Sequence, residues 1–241
     1  MTQTMTAEPA AAGTKSLPAR VLGVLMAPRA TYADVAARPR ALGVLALVIL
    51  VSAGGSYTFL STEVGRQASL EQQVRTMESF GVKISDVMYQ RMQDGVARTA
   101  IFAAAGQIVM QPLFAAVIAG IALGIFNALL GGAGTFKQVF AIVCHSGVVT
   151  VVSQLFNLPL AYARETLTGA SNLAVFAPFL DENSFGAHAL GAIDLFAIWW
   201  IVSLSIGLGV LYKKRTGPIA SSFIGVYVSI GVIIAAIRSV V

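Results

Sequence analysis

Long apolar runs alternate with short polar clusters along this chain. A helix needs about 20 apolar residues to cross the hydrocarbon of a bilayer. Residues 41–60 carry no charge and close with Gly54, Gly55, Ser56 and Tyr57. Residues 99–130 form an unusually long run, with no charge between Arg98 and Lys137. Pro112 lies inside it, which predicts a kink or a lead-in helix before the crossing. Residues 136–160 hold His145 near their middle, and residues 191–212 hold Asp194, Trp199 and Trp200. Residues 218–237 open on Pro218, which suits a first helical turn. Backbone groups in lipid must be satisfied within the segment, so these runs predict helices. The expected fold class is all-α: a polytopic membrane bundle with about five transmembrane helices.

The connections set the topology. Lys15, Arg20, Arg29, Arg38 and Arg40 precede the first span, Lys137 lies between the second and third, and Lys213, Lys214 and Arg215 between the fourth and fifth. Five spans put all of these on one side, which the positive-inside rule makes cytoplasmic. The N-terminus is then cytoplasmic, and residues 61–98, 161–190 and the C-terminus lie outside. The first apolar run starts too late for a cleaved signal peptide, so the first span is expected to act as the insertion signal.

Composition sharpens the membrane reading. Of 241 residues, 56% are hydrophobic and 11% charged, against roughly 25% charged in soluble domains. So few charges cannot cover a water-facing surface. The net charge of +5 clusters beside the apolar spans, which favours membrane headgroups over nucleic acid. The one cysteine, Cys144, permits no disulfide within the chain and no paired-cysteine zinc site. No cofactor or metal is expected.

Three segments lie outside the spans. Residues 1–16, rich in Ala and Thr, read as a disordered tail. Residues 17–40 read as a cytoplasmic interfacial segment, with Ser16 as cap, Pro18 in the first turn and Pro28 as the stop. Leu17, Val21, Leu22 and Leu25 form its apolar stripe. That stripe suits either the membrane interface or the underside of the bundle. Residues 61–98 read as an external insert of two short helices broken near Gly81, with Leu70, Val74, Met77, Ile84, Val87, Met88 and Met92 at helical spacing. Residues 41–241 then form the membrane domain.

Candidate chemistry is sparse. Ala116, Gly120, Gly124 and Ala128 form a small-residue stripe on the second span, and Ser221, Gly225 and Ser229 form another on the fifth. Such stripes let helices approach closely, and packing inside one bundle is the expected use, with a dimer face as the other. The stretch 126–137 includes Asn127, Gly131, Gly132, Gly134 and Lys137. Its glycines could cradle an anion, but the Walker spacing is missing, and a glycine-rich turn between helices is the stronger reading. His145 falls roughly 13 Å into its span at 1.5 Å per residue; a neutral imidazole bonded within the bundle is expected, with a proton relay or metal ligand as the other reading. Gln107, Gln111, Gln154, Asn157 and Asp194 are expected to form a polar cluster in the outer half, with Asp194 near the outer surface. This cluster is either a small binding cavity or a set of interhelical hydrogen bonds around a helix N-terminus. Lys213, Lys214 and Arg215 are expected either to attract anionic lipid headgroups, at about 1 kcal/mol each, or simply to fix the topology. No paired catalytic groups are recognisable.

Pro28-Arg29-Ala30-Thr31-Tyr32, Phe126-Asn127 with Gly131-Gly132, Gly134-Thr135-Phe136-Lys137-Gln138-Val139-Phe140, His145-Ser146, and Leu195-Phe196 with Trp199 and Gly207 carry a resemblance. Over roughly residues 17–236 the chain resembles the Yip domain family, the Ypt/Rab-interacting membrane proteins, and specifically its prokaryotic branch. The resemblance implies five spans and a cytoplasmic N-terminus. In nucleated cells it implies Rab-type GTPase partners and vesicle traffic, yet the short N-terminal region here contains no recognisable GTPase-binding domain.

The expected function is a non-enzymatic scaffold or membrane-organising protein in a prokaryotic inner membrane. Its expected partners are membrane lipids, with other membrane proteins or a second copy of itself. The alternative is a small transporter, or a lipid- or small-molecule-binding protein, that uses the cluster around Asp194.

Overall fold

The computed structural model describes residues 15–167, 169–181 and 184–240. Of the expected N-terminal tail, residues 1–14 lie outside the described residues. The regular elements among the described residues are all helices, apart from one isolated β-bridge between Asn172 and Asp194.

Helix α1 (Leu17–Met26) starts at Ser16, whose hydroxyl accepts the Ala19 amide. Pro28 does stop it, but also opens a second helix, α2 (Pro28–Ala37). Gly23 lets the two approach so closely that any side chain there would collide with Thr31. Arg20, 3% exposed, ties the pair together: its Nε donates to Asp34 at 2.8 Å and its Nη2 to the Arg38 carbonyl at 3.1 Å. Val24 is buried and Val21 and Leu25 pack on the core, while Leu17, Leu22 and Met26 face outward. The α1 stripe thus divides, part against the bundle and part away from it.

Four helical stretches are long and apolar enough to cross a membrane. The first is α3 (Leu42–Leu60). Thr62 then caps α4 (Glu63–Glu78), and the break falls at Gly81, whose φ of 77° suits glycine alone without strain. The second piece of the expected external insert is not a separate short helix. It continues directly into the span as α5 (Asp86–Leu123), 38 residues long, which passes through Pro112. Loss of one amide donor does not end so long a helix when its neighbours hold it. A π-helical turn over Gly124–Leu129 finishes it.

The third span is broken at Gly147 into α6 (Phe136–Ser146) and α7 (Val148–Arg164), and it runs past the expected end through Pro159. A short 3₁₀ turn (Leu173–Phe176) and α8 (Phe185–Gly191) come next. The fourth apolar run then starts at Leu195 rather than at residue 191, giving a shorter helix of 17 residues, α9 (Leu195–Leu211). Helix α10 (Thr216–Val240) is longer than expected at both ends.

The core gathers Tyr32 and Val35 of α2, Val44 and Val48 of α3, Ala119 of α5, Ile142 of α6 and Leu208 of α9. Burying an aromatic or branched side chain of this kind contributes about 1.5–3 kcal/mol. The Tyr32 hydroxyl meets Ser203 at 2.7 Å. Gly207 lies beneath the Tyr32 ring and against Ile142, where a Cβ would have no room. The outward faces of α3, α5 and α10 show Leu50, Ile108, Leu113, Val117, Ile230 and Ile233. A continuous apolar girdle of this kind needs lipid rather than water around it.

Candidate functional site

Two constructed regions occupy opposite ends of the bundle. The first surrounds the turn between α5 and α6. Asn127 closes it from both sides: its Nδ2 donates to the Gly134 carbonyl at 2.8 Å, and its Oδ1 accepts the Gly134 amide at 3.2 Å. The Gly132 amide donates to the Phe126 carbonyl at 2.8 Å, and Gly131 takes a φ of 66°. Tyr212, just past α9, stacks on Phe126 with ring centroids 4.6 Å apart and donates to Asn127 Oδ1 at 2.9 Å. Side chains on Gly132 or Gly134 would stand 2.6 Å from Tyr212 atoms. Thr135 and Gln138 form a reciprocal cap on α6, and Gln138 reaches on to the Ala36 carbonyl at 3.0 Å. Those amides are spoken for by the turn, so it is a clasp rather than an open anion cradle. Lys137, Lys213, Lys214 and Arg215 are exposed around it, and Arg29 bonds Thr216 at 3.4 Å.

The second region lies towards the other end, where Asp194 serves as the N-cap of α9 by accepting the Ala197 amide at 2.9 Å. Ser171 donates to its second carboxylate oxygen, and Asn157 Nδ2 donates to Ser171 at 3.2 Å and to Ser153 at 3.0 Å. The Tyr227 hydroxyl of α10 accepts the Asp194 amide at 3.0 Å and donates to the Ala192 carbonyl at 2.8 Å. Asp194 borders two cavities. The larger, of about 410 Å³, lies among α3, α5, α6, α7, α9 and α10, and Gln111, Thr150, Ser153 and Tyr227 share its wall. The smaller, of about 210 Å³, is lined by Asn157, Arg164 and Ser171 among others.

Asp194 lies below the end of α7. It bonds through Ser171 at the level of Asn157, and the seven residues from there to the end of α7 at Arg164 rise about 10 Å. Ala192 likewise rests on Gly231, with α10 continuing to Val240. Ser171 and Ala192 therefore lie beside α7 and α10, short of the helix ends.

The expected five-residue cluster divides. Asn157 and Asp194 meet through Ser171, and Gln111 shares their cavity. Gln107 accepts from Gln111 at 3.1 Å, while Gln154 turns its Oε1 to Gly55 of α3 without a hydrogen-bond partner. Ser171 and Tyr227 escaped sequence reading because one is in a loop and the other within an apolar span.

His145 is fully buried, and its Nδ1 lies 2.7 Å from the Ala141 carbonyl. A carbonyl can only accept, so Nδ1 carries the proton and the unpartnered Nε2 is the free acceptor. Trp200 stands 6.1 Å from Phe114 on the larger cavity's wall, and Trp199 stacks on Phe196.

The small-residue stripes do not pack inside the bundle. Gly120, Gly124 and Ala128 are exposed, Ala116 is half-buried, and an added Cβ at either glycine would meet nothing within 4 Å. The buried stripe is instead Ala115, Ala119 and Ala122 of α5, continued by Phe126 in the π-helical turn. Ser221, Gly225 and Ser229 are exposed as well. A small-residue repeat states its spacing but not which neighbour it faces.

Among known protein families, residues 22–237 match the Yip1 domain. No curated protein and no solved structure gives a significant match. The matched region holds the second half of α1, the α2–α9 seam, the clasp and the Asp194 cavity. Members of that family are generally non-enzymatic proteins of membrane traffic. The match and the apolar helices together make this chain an integral membrane protein that belongs to the Yip1 domain family.

Proposed function

We propose that this protein is a membrane-organising scaffold of a prokaryotic inner membrane that associates laterally with other membrane helices. The observation carrying this reading is the pair of glycine-bearing faces on α5 and α10 that open away from the bundle. In lipid, such faces associate through close backbone packing. Helix α9 makes the fifth crossing: its 17 residues span about 25 Å, and its ends bond at Asp194 and Tyr212 to opposite ends of the bundle. The basic end, with Arg29, Lys137, Lys213, Lys214 and Arg215, faces the cytoplasm and anionic headgroups. The partner is a second copy or another membrane protein. Capture from native membranes in nanodiscs tests this: a stoichiometric protein partner, lost on Gly120→Leu and Gly124→Leu, supports it, and capture of lipid alone contradicts it.

A second reading, a lipid- or small-molecule-binding protein or small transporter, is favoured by the cavity of about 410 Å³ beside Asp194. Retention of a defined lipid or small molecule, reduced by Asp194→Asn, supports it.

A further inference from the structure

We propose that the larger cavity takes an amphiphile with a cationic ammonium head, entering sideways from the bilayer between α5 and α9. The inference rests on the binding reading above and assigns its ligand class.

Its position argues for lateral entry. Helix α5 packs on α3, α4 and α6, whereas α9 packs on α2, α6, α7 and α10. The space between α5 and α9 is the cavity, and both helices line it. Phe114 stands at its edge, 56% exposed on the lipid-facing side and 6.1 Å from Trp200. A ligand using this mouth would keep its tail among apolar neighbours.

Charge argues for the head group. Asp194 is the one ionisable carboxylate on the wall, and no lysine, arginine or histidine lines this cavity. No ion pair reaches Asp194 among the described residues. The α9 N-terminus offsets about half a charge, so a net negative remainder faces the cavity. Each carboxylate oxygen accepts one bond, from Ala197 or Ser171, and keeps capacity for another donor. Phe114, Phe196, Trp200 and Tyr227 supply rings on the same wall. Aromatic faces beside a carboxylate attract ammonium groups and give nothing to phosphate or sulfate.

The ammonium could belong to a membrane lipid or to a free amphiphilic amine. The protein's only cysteine, Cys144, lines this cavity and reports on it without engineering. The full chain in phosphatidylglycerol nanodiscs is treated with trimethylammonium-ethyl or sulfonato-ethyl methanethiosulfonate. Rates are normalised to the denatured chain. The expected result is a preference of about tenfold for the cationic reagent, abolished by Asp194→Asn, which keeps a capping side chain. Equal rates, or no labelling by either reagent, overturn the proposal.

Protection of Cys144 then identifies the source. Protection in phosphatidylethanolamine discs assigns a lipid head, and protection by decyltrimethylammonium in phosphatidylglycerol discs assigns a free amphiphile; either supports the proposal. Phe114→Ala, at an exposed position, should weaken that protection while leaving the charge preference. Equal protection by a purely anionic lipid overturns the cationic assignment but leaves the binding reading. Absence of protection by any lipid or amine overturns both.

Discussion

Tyr212 Oη donates to Asn127 Oδ1 at 2.9 Å, and that bond joins the end of α9 to the turn between α5 and α6. The same Asn127 side chain closes the turn on Gly134. One amide therefore holds three segments of the basic end together, and the glycines around it are there because the Tyr212 ring occupies the space.

Gly134→Ala should destabilise the protein by about 1–3 kcal/mol, the usual range for overpacking. Thermal unfolding in micelles would measure it. In a Tyr212→Ala background the same substitution should cost much less, because the colliding ring is gone. An equal cost in both backgrounds would show that the clasp is not the reason for the glycine.

The Arg20–Asp34 pair makes a second prediction. Removing the carboxylate by Asp34→Ala leaves a buried guanidinium unpaired and should cost about 3–5 kcal/mol. Replacing both partners, Arg20→Met with Asp34→Leu, should recover much of the loss. A double variant no better than Asp34→Ala would contradict this account of the α1–α2 junction.

Orientation can be checked independently of function. In a Cys144→Ala background, single cysteines at Lys137 and Lys214 should be shielded from an impermeant thiol reagent applied outside intact cells. A cysteine at Phe80, which is exposed and lies under Arg238 at 5.2 Å, should be labelled. The reverse pattern would invert the topology.

What was legible in the sequence followed physical scale. Span existence depends on total apolarity over some 20 residues, so α3, α5 and α10 were plain. The Ser16 cap and the Gly81 break depend on local backbone chemistry and were also plain. Helix α2 was missed because its inward face, Thr31, Tyr32 and Val35, is short and partly polar. The break at Gly147 was missed because a lone glycine inside an apolar helical run is usually tolerated. The cavity was only half legible: Asp194, Asn157 and Gln111 stand out as polar residues in apolar runs. Ser171 and Tyr227 are brought to Asp194 by contacts across 23 and 33 positions. The outward direction of Gly120 and Gly124 is likewise tertiary information.

The claim that α5 and α10 present association faces is tested most directly by chemical crosslinking in native membranes at natural expression. Wild type is compared with a Gly120→Leu, Gly124→Leu variant that unfolds at an unchanged temperature. The account predicts a discrete crosslinked species in the wild type that falls at least several-fold in the variant, since bulky residues part helices that pack at close range. A wild type that yields only the single chain, or a variant that crosslinks equally well, would contradict it.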